Sequence, residues 1–151
     1  MTSKKTINSS HIETLLACPF VYHVRRRCEK FRINFSLSLT SDCLCISDGD
    51  TTDGFFDPPS RTTPGTLCLS VAGKDLSEIY HTLAHEFCHL EQWVRDDALW
   101  VKWMKRSSRK STLALERQTE EEALEMLKQF NLYDDSMLDR MNKYLRRLEN
   151  S

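Results

Sequence analysis

The stretch HTLAHEFCHLEQW, residues 81–93, leaves its chain little conformational choice. At about 100° per residue, with Leu76 at zero, Ile79, Tyr80, Leu83, Phe87, Leu90 and Val94 fall within roughly 60° of Leu76. A helix patterned this way must lay one face on a core. His85 falls at roughly 180° and His89 at roughly 220°, on the opposite side. Asp75 is placed to cap the N-terminus, with Glu78 three residues on to complete a capping box. The pattern predicts a helix over 75–95.

The chain has 151 residues, which fits one domain spanning 1–151. Hydrophobic residues make up 40% and charged residues 28%, and the net charge is -1, so bulk charge points to neither nucleic acid nor a membrane. No apolar run is long enough to cross a bilayer. The segment MTSKKTINSSHIE lacks the apolar stretch of a secretory signal, so a cytoplasmic location is expected. That setting makes the six cysteines packing thiols rather than disulfides.

Ahead of the histidine helix, residues 8–17 read as a short helix with Ile12, Leu15 and Leu16 inward. PFVYHV reads as extended. FRINFSLSL alternates Phe31, Ile33, Phe35, Leu37 and Leu39, a strand signal. CLCIS is a second strand. DGDTTDGFFDPPSRTTPG is a loop by its Asp, Gly, Pro and Thr content. TLCLSVA, residues 66–72, is a third strand. Further helices are expected near 96–106, 112–130 and 135–148. The sum is an α+β domain: a small antiparallel sheet packed on the histidine helix, with a helical C-terminal half.

His85-Glu86-Phe87-Cys88-His89 is an H-E-x-x-H pattern. Two imidazoles at i and i+4 on one helix face can converge on one zinc ion. Glu86 lies about 100° around, off the ligand direction but within reach of a water held there, which is what a general base requires. A catalytic zinc needs a third protein ligand, and no histidine follows His89. On a wheel starting at Leu113, Ala123, Leu124, Leu127 and Phe130 centre near about 320°. Glu116 at roughly 300° and Glu120 at roughly 340° lie inside that apolar stripe, whereas Glu121, Glu122 and Glu125 lie outside it. A carboxylate on a core face needs a cation. Glu120 is the preferred third ligand and Glu116 the group behind it, with the reverse assignment open. The competing reading pairs both glutamates with Arg117, Lys128 or another basic residue.

These residues resemble the gluzincin class of zinc metallopeptidases, in which H-E-x-x-H on one helix is joined by a glutamate from a later helix. The segment EEEAL, residues 120–124, is similar to the E-x-E-A segment that carries the third ligand in several small families. The resemblance spans about 50 residues. It implies a minimal zincin-like domain in which His85, His89 and Glu120 hold Zn2+. Glu86 then takes a proton from a zinc-activated water and passes it to the leaving nitrogen of a protein or peptide substrate. It also implies that the strand before the helix, TLCLSVA, is an edge strand that pairs with extended substrate. His81, Tyr133, Tyr80 and Arg117 are candidate oxyanion donors. HEFCHLEQW is similar to SprT-like proteins as well, but those use a third histidine that this chain lacks.

The alternative function is a binding or regulatory protein on the same scaffold, without turnover. The basic segment KWMKRSSRK, residues 102–110, offers such a protein a nucleic-acid contact, and otherwise reads as a solvated helix end. Trp93, Trp100 and Trp103 read as helix packing, Cys88 as core, and 135–148 as a helix lying on the domain.

Overall fold

The computed structural model describes residues 9–39, 43–44 and 51–151. In chain order it forms α1 (Ser9–Ala17), α2 (Pro19–Lys30), β1 (Ile33–Ser38), β2 (Cys43–Leu44), β3 (Thr51–Thr52), β4 (Gly54–Asp57) and β5 (Gly65–Ser70). The helices α3 (Leu76–Val94), α4 (Ala98–Lys105), α5 (Arg109–Gln129) and α6 (Asp135–Glu149) follow. The chain is therefore a mixed α+β protein, six helices around a small three-stranded sheet. No helix among the described residues is long and apolar enough to cross a membrane.

The histidine helix forms where periodicity and cap predict it. Asp75 Oδ1 accepts the Glu78 N–H at 2.8 Å, closing the first turn. Ile79, Leu83, Phe87 and Leu90 are fully buried, each contributing about 1.5–3 kcal/mol by leaving water. Helix α3 packs on β4 and β5 with this face, and on α5 with the face that carries its histidines. Its C-terminus closes with Asp96 at φ 50°, the Asp96 N–H bonded to Trp93 O and the Asp97 N–H to Gln92 O. Helix α5 ends in the same Schellman geometry at Asn131, φ 59°. Both turns use residues that tolerate the left-handed region.

Several expectations change. PFVYHV is not extended. It opens α2, with Pro19 in the first turn, where its missing N–H costs nothing. Phe20, Val21, Val24 and Cys28 bury one stripe of that helix. The sheet is not antiparallel throughout: β1 pairs with β5 in parallel, from Ile33↔Gly65 to Ser38↔Ser70, and β4 pairs with β5 antiparallel. TLCLSVA is not an edge strand, because the sheet order is β1-β5-β4 and β5 lies in the middle. The edge next to α3 is β4, which falls in the stretch expected to be loop. Leu16 and Leu39, expected inward, are exposed. Residues 45–47 of CLCIS and 48–50 of the expected loop lie outside the described residues.

Among the described thiols, Cys18, Cys28, Cys68 and Cys88 are buried, as packing groups should be. Trp100 is buried and stacks with Phe56 and Trp103, and Trp93 packs against Phe31 and Phe56. These tryptophans join helices to one another and to the sheet.

The edge strand reaches α3 at a glycine. A Cβ on Gly54 would stand 2.9 Å from Thr82 Cγ2, 3.1 Å from the backbone Cys68 O and 3.3 Å from Glu86 Cγ. Gly54→Ala is therefore expected to destabilise the protein by about 1–3 kcal/mol, the range for overpacking. Equilibrium denaturation of the two proteins measures it, and unchanged stability would mean that β4 does not press on α3 this closely.

Candidate metal centre

Three histidines of α3, spaced one turn apart at 81, 85 and 89, face two glutamates of α5, spaced one turn apart at 116 and 120. The Glu120 carboxylate is fully engaged by ring nitrogens. His81 Nε2 lies 2.7 Å from Oε2, and His85 Nδ1 lies 3.2 Å from Oε1. Arg140 of α6 donates from Nε to His81 Nδ1 at 3.4 Å, so the His81 proton sits on Nε2 and points at Glu120. His85 correspondingly donates from Nδ1.

The tautomer of His89 is set in the same way. Thr119 Oγ1 donates to Leu115 O at 2.8 Å and accepts from Gln92 Nε2 at 3.0 Å. That fixes the Gln92 amide so that its Oε1 faces His89 Nδ1 at 2.9 Å and accepts from it. Histidine metal ligands are held in this manner, with one nitrogen donating to a carboxylate or carbonyl and the other left free to coordinate.

The Nε2 atoms of both rings point at Glu116. Its Oε2 lies 2.9 Å from His85 Nε2 and 3.6 Å from His89 Nε2. These distances bracket the edge of about 3.4 Å expected for a tetrahedron with zinc bonds of about 2.1 Å. Ligand atoms of His85, His89 and Glu116 all lie within 4.8 Å of one another. Glu116 Oε2 is buried and, although His85 Nε2 stands 2.9 Å away, makes no hydrogen bond of regular geometry. Two imidazole nitrogens and a carboxylate oxygen thus converge in an arrangement able to hold a metal ion, and donors of these types are ones that zinc accepts.

Charge follows the geometry. Burial works against the protonated form of His85, but the carboxylates of Glu116 and Glu120 outweigh it and raise its pKa well above the usual histidine value. Burial opposes ionisation of Glu120, yet the N–H groups of His81 and His85 hold it at about 2. Glu116 is held low by His85 and His89 against the same desolvation. Glu86 is raised, first by burial and then by the nearby carboxylates of Glu116 and Glu120, against the lowering effect of His85 and His89.

The structure brings together His81, His85, Glu86, His89, Glu116 and Glu120 of the residues singled out from the sequence. Within this cluster the carboxylate grouped with the His85 and His89 Nε2 atoms is that of Glu116, whereas the two Glu120 oxygens face His81 Nε2 and His85 Nδ1. The other candidate donors stand elsewhere. Arg117 pairs with Glu149 on the surface at 2.7 Å, Tyr133 lies under Lys128 Nζ, and buried Tyr80 packs near Cys18. Tyr144 of α6 stands beside the cluster instead. Its ring stands 5.9 Å from that of His85, and burial, with the Glu116, Glu120 and Glu86 carboxylates, pushes its phenol up. Gln92 carried one legible signal, its position three residues after His89; Thr119, Arg140 and Tyr144 carried none.

Glu86, His85 and Tyr144 lie at the junction of two clefts, of about 630 Å³ and 280 Å³. No protein-family model, no curated protein and no solved structure matches this chain.

A metal at His85 Nε2 must displace the proton that the two carboxylates stabilise there. Metal uptake near neutral pH is therefore expected to release about one proton per site, and apparent affinity to fall as pH falls. Calorimetry of zinc binding in buffers of differing ionisation heat measures the proton count. A count of zero would remove His85 Nε2 from the ligand set.

Proposed function

We propose that this chain is a zinc-dependent peptidase acting on a protein or peptide substrate, with a minimal gluzincin-like site. One observation carries the reading. A buried carboxylate oxygen of Glu116 without a hydrogen bond faces two imidazole nitrogens, and the other nitrogen of each ring is already committed as a donor, to Glu120 and to Gln92. In this reading His85, His89 and Glu116 are the ligands, while Glu120 and Gln92 orient the rings. The resemblance of His85-Glu86-x-x-His89 to the gluzincin helix supports the same ligand pair.

When bound, zinc supplies Lewis-acid polarisation of a carbonyl and lowers the pKa of a water toward about 7. The chain's own groups supply the rest. Glu86 opens on both clefts, and burial raises its carboxyl toward the range in which it can accept a proton and then release it to a leaving nitrogen. Tyr144, protonated across the physiological range, is placed to donate to a developing oxyanion. Strand β4, residues Gly54–Asp57, stands at the end of the sheet and lines the smaller cleft, where an extended peptide would run alongside it.

The expected zinc content of protein prepared without chelator is about one per chain, lost in Glu116→Ala. Glu120→Gln should retain zinc with affinity lowered by about 10–100-fold, the usual effect of removing a partner that orients a ligand. Glu86→Gln should keep zinc and lose about 10²–10⁴-fold in peptide hydrolysis. Metal analysis with a protein-substrate assay separates the cases. Full zinc in Glu116→Ala would shift the third ligand elsewhere, and equal hydrolysis by Glu86→Gln and the unaltered protein would end the catalytic reading.

A further inference from the structure

The two clefts that meet at Glu86 are lined differently. The larger is walled by α6, whose Arg140, Lys143 and Arg147 recur at i, i+3 and i+7 on one face, with Arg146 beside them. Arg140 is committed to Ser77, Ser136 and His81. Lys143, Arg146 and Arg147 are exposed and make no ion pair among the described residues. Of the acids lining this chamber, Asp53 pairs with Lys74 at 3.0 Å and Glu120 is held by His81 and His85. That leaves Glu78, among the described residues, against three cations away from the junction where Glu86 stands. The smaller cleft shares His85, Glu86 and Tyr144 with it, and sets Phe55, Trp103, Leu115 and buried Trp100 beside Asp57, His89 and Glu116.

A solvated cationic helix face needs no ligand. This one forms the wall of a chamber of about 630 Å³ that ends at His85 and Glu86, and an aromatic recess continues it. We propose that the cleft takes a polypeptide with acidic side chains on one side of the reacting bond, against α6, and an apolar side chain on the other, in the recess. The inference rests on the peptidase reading for its reacting bond, but the charge selection belongs to α6 and stands apart from turnover. Opposite charge across a cleft selects partners and steers their approach.

Binding is measured on zinc-loaded Glu86→Gln protein by fluorescence anisotropy. The ligands are a labelled peptide carrying a Glu run beside a Phe, and its counterpart with Lys for Glu. The acidic peptide is expected to bind about tenfold or more tightly over its counterpart, the preference weakening with salt. A Lys143→Glu/Arg147→Glu double variant with unchanged zinc content should abolish the preference. Unaltered protein given a proteome-derived peptide library should cut with Asp or Glu enriched on one side of the bond and apolar residues on the other. Equal binding of the two peptides overturns the inference, as does indifference to the charge reversal. Tighter binding of a single-stranded oligonucleotide than of the acidic peptide overturns it in favour of a nucleic-acid cleft. Selective acidic binding with no cleavage of any peptide sinks the peptidase reading and leaves the acidic cleft standing. Cleavage without acidic enrichment does the reverse.

Discussion

Three atoms that repel one another unless a cation lies among them set the terms for this fold. His85 Nε2, His89 Nε2 and Glu116 Oε2 converge in a buried place, and the hydrogen bonds behind the rings prevent either imidazole from turning away. An ionised carboxylate in such surroundings costs several kcal/mol unless a positive charge meets it. Without metal that charge is a proton, which is why His85 is so strongly basic. In the proposed function that proton holds the position a metal would take.

The supports are layered outward from that position. Helix α3 is fixed by its buried face on the sheet and by caps at both ends, so its histidines have little freedom of axial rotation. Helix α5 supplies the facing carboxylates and, through Thr119, the partner that orients Gln92 and hence His89. Helix α6 adds a third tier. Arg140 fixes the His81 tautomer, His81 occupies one oxygen of Glu120, and Glu120 orients His85 with the other. The same helix brings Tyr144 and a row of cations to the cleft. Opposite, β4 presses on α3 at Gly54 and ends the three-stranded sheet on that side.

Much of this was legible in the sequence where the signal is local. The 3.6-residue period and Asp75 gave α3, and the apolar stripe of α5 singled out Glu116 and Glu120 from three outer glutamates. Other segments misled for identifiable reasons. PFVYHV has β-branched and aromatic residues that suit a strand, but Pro19 at a helix start and the basic run after it extend a helical stripe through Cys28. The β4 sequence, GFFD, is too short for alternation to declare itself among flanking Asp, Thr and Pro. Alternation places side chains on the two faces of a strand and says nothing of neighbour or direction, so the parallel β1–β5 pair and the central place of β5 were beyond its reach.

The sequence by itself determined which side of each helix every group occupies: His85 and His89 away from the α3 core face, and Glu116 and Glu120 within the α5 stripe. Side-chain direction around a helix axis is a property of that helix alone. Which carboxylate meets which nitrogen was decided only by tertiary structure, because it depends on the axial offset and rotation of α5 against α3. One turn of slip exchanges Glu116 for Glu120. That offset is fixed by distant packing of the sheet, α4 and α6, and with it come Arg140 and Tyr144 from a helix whose own sequence carries no trace of the site.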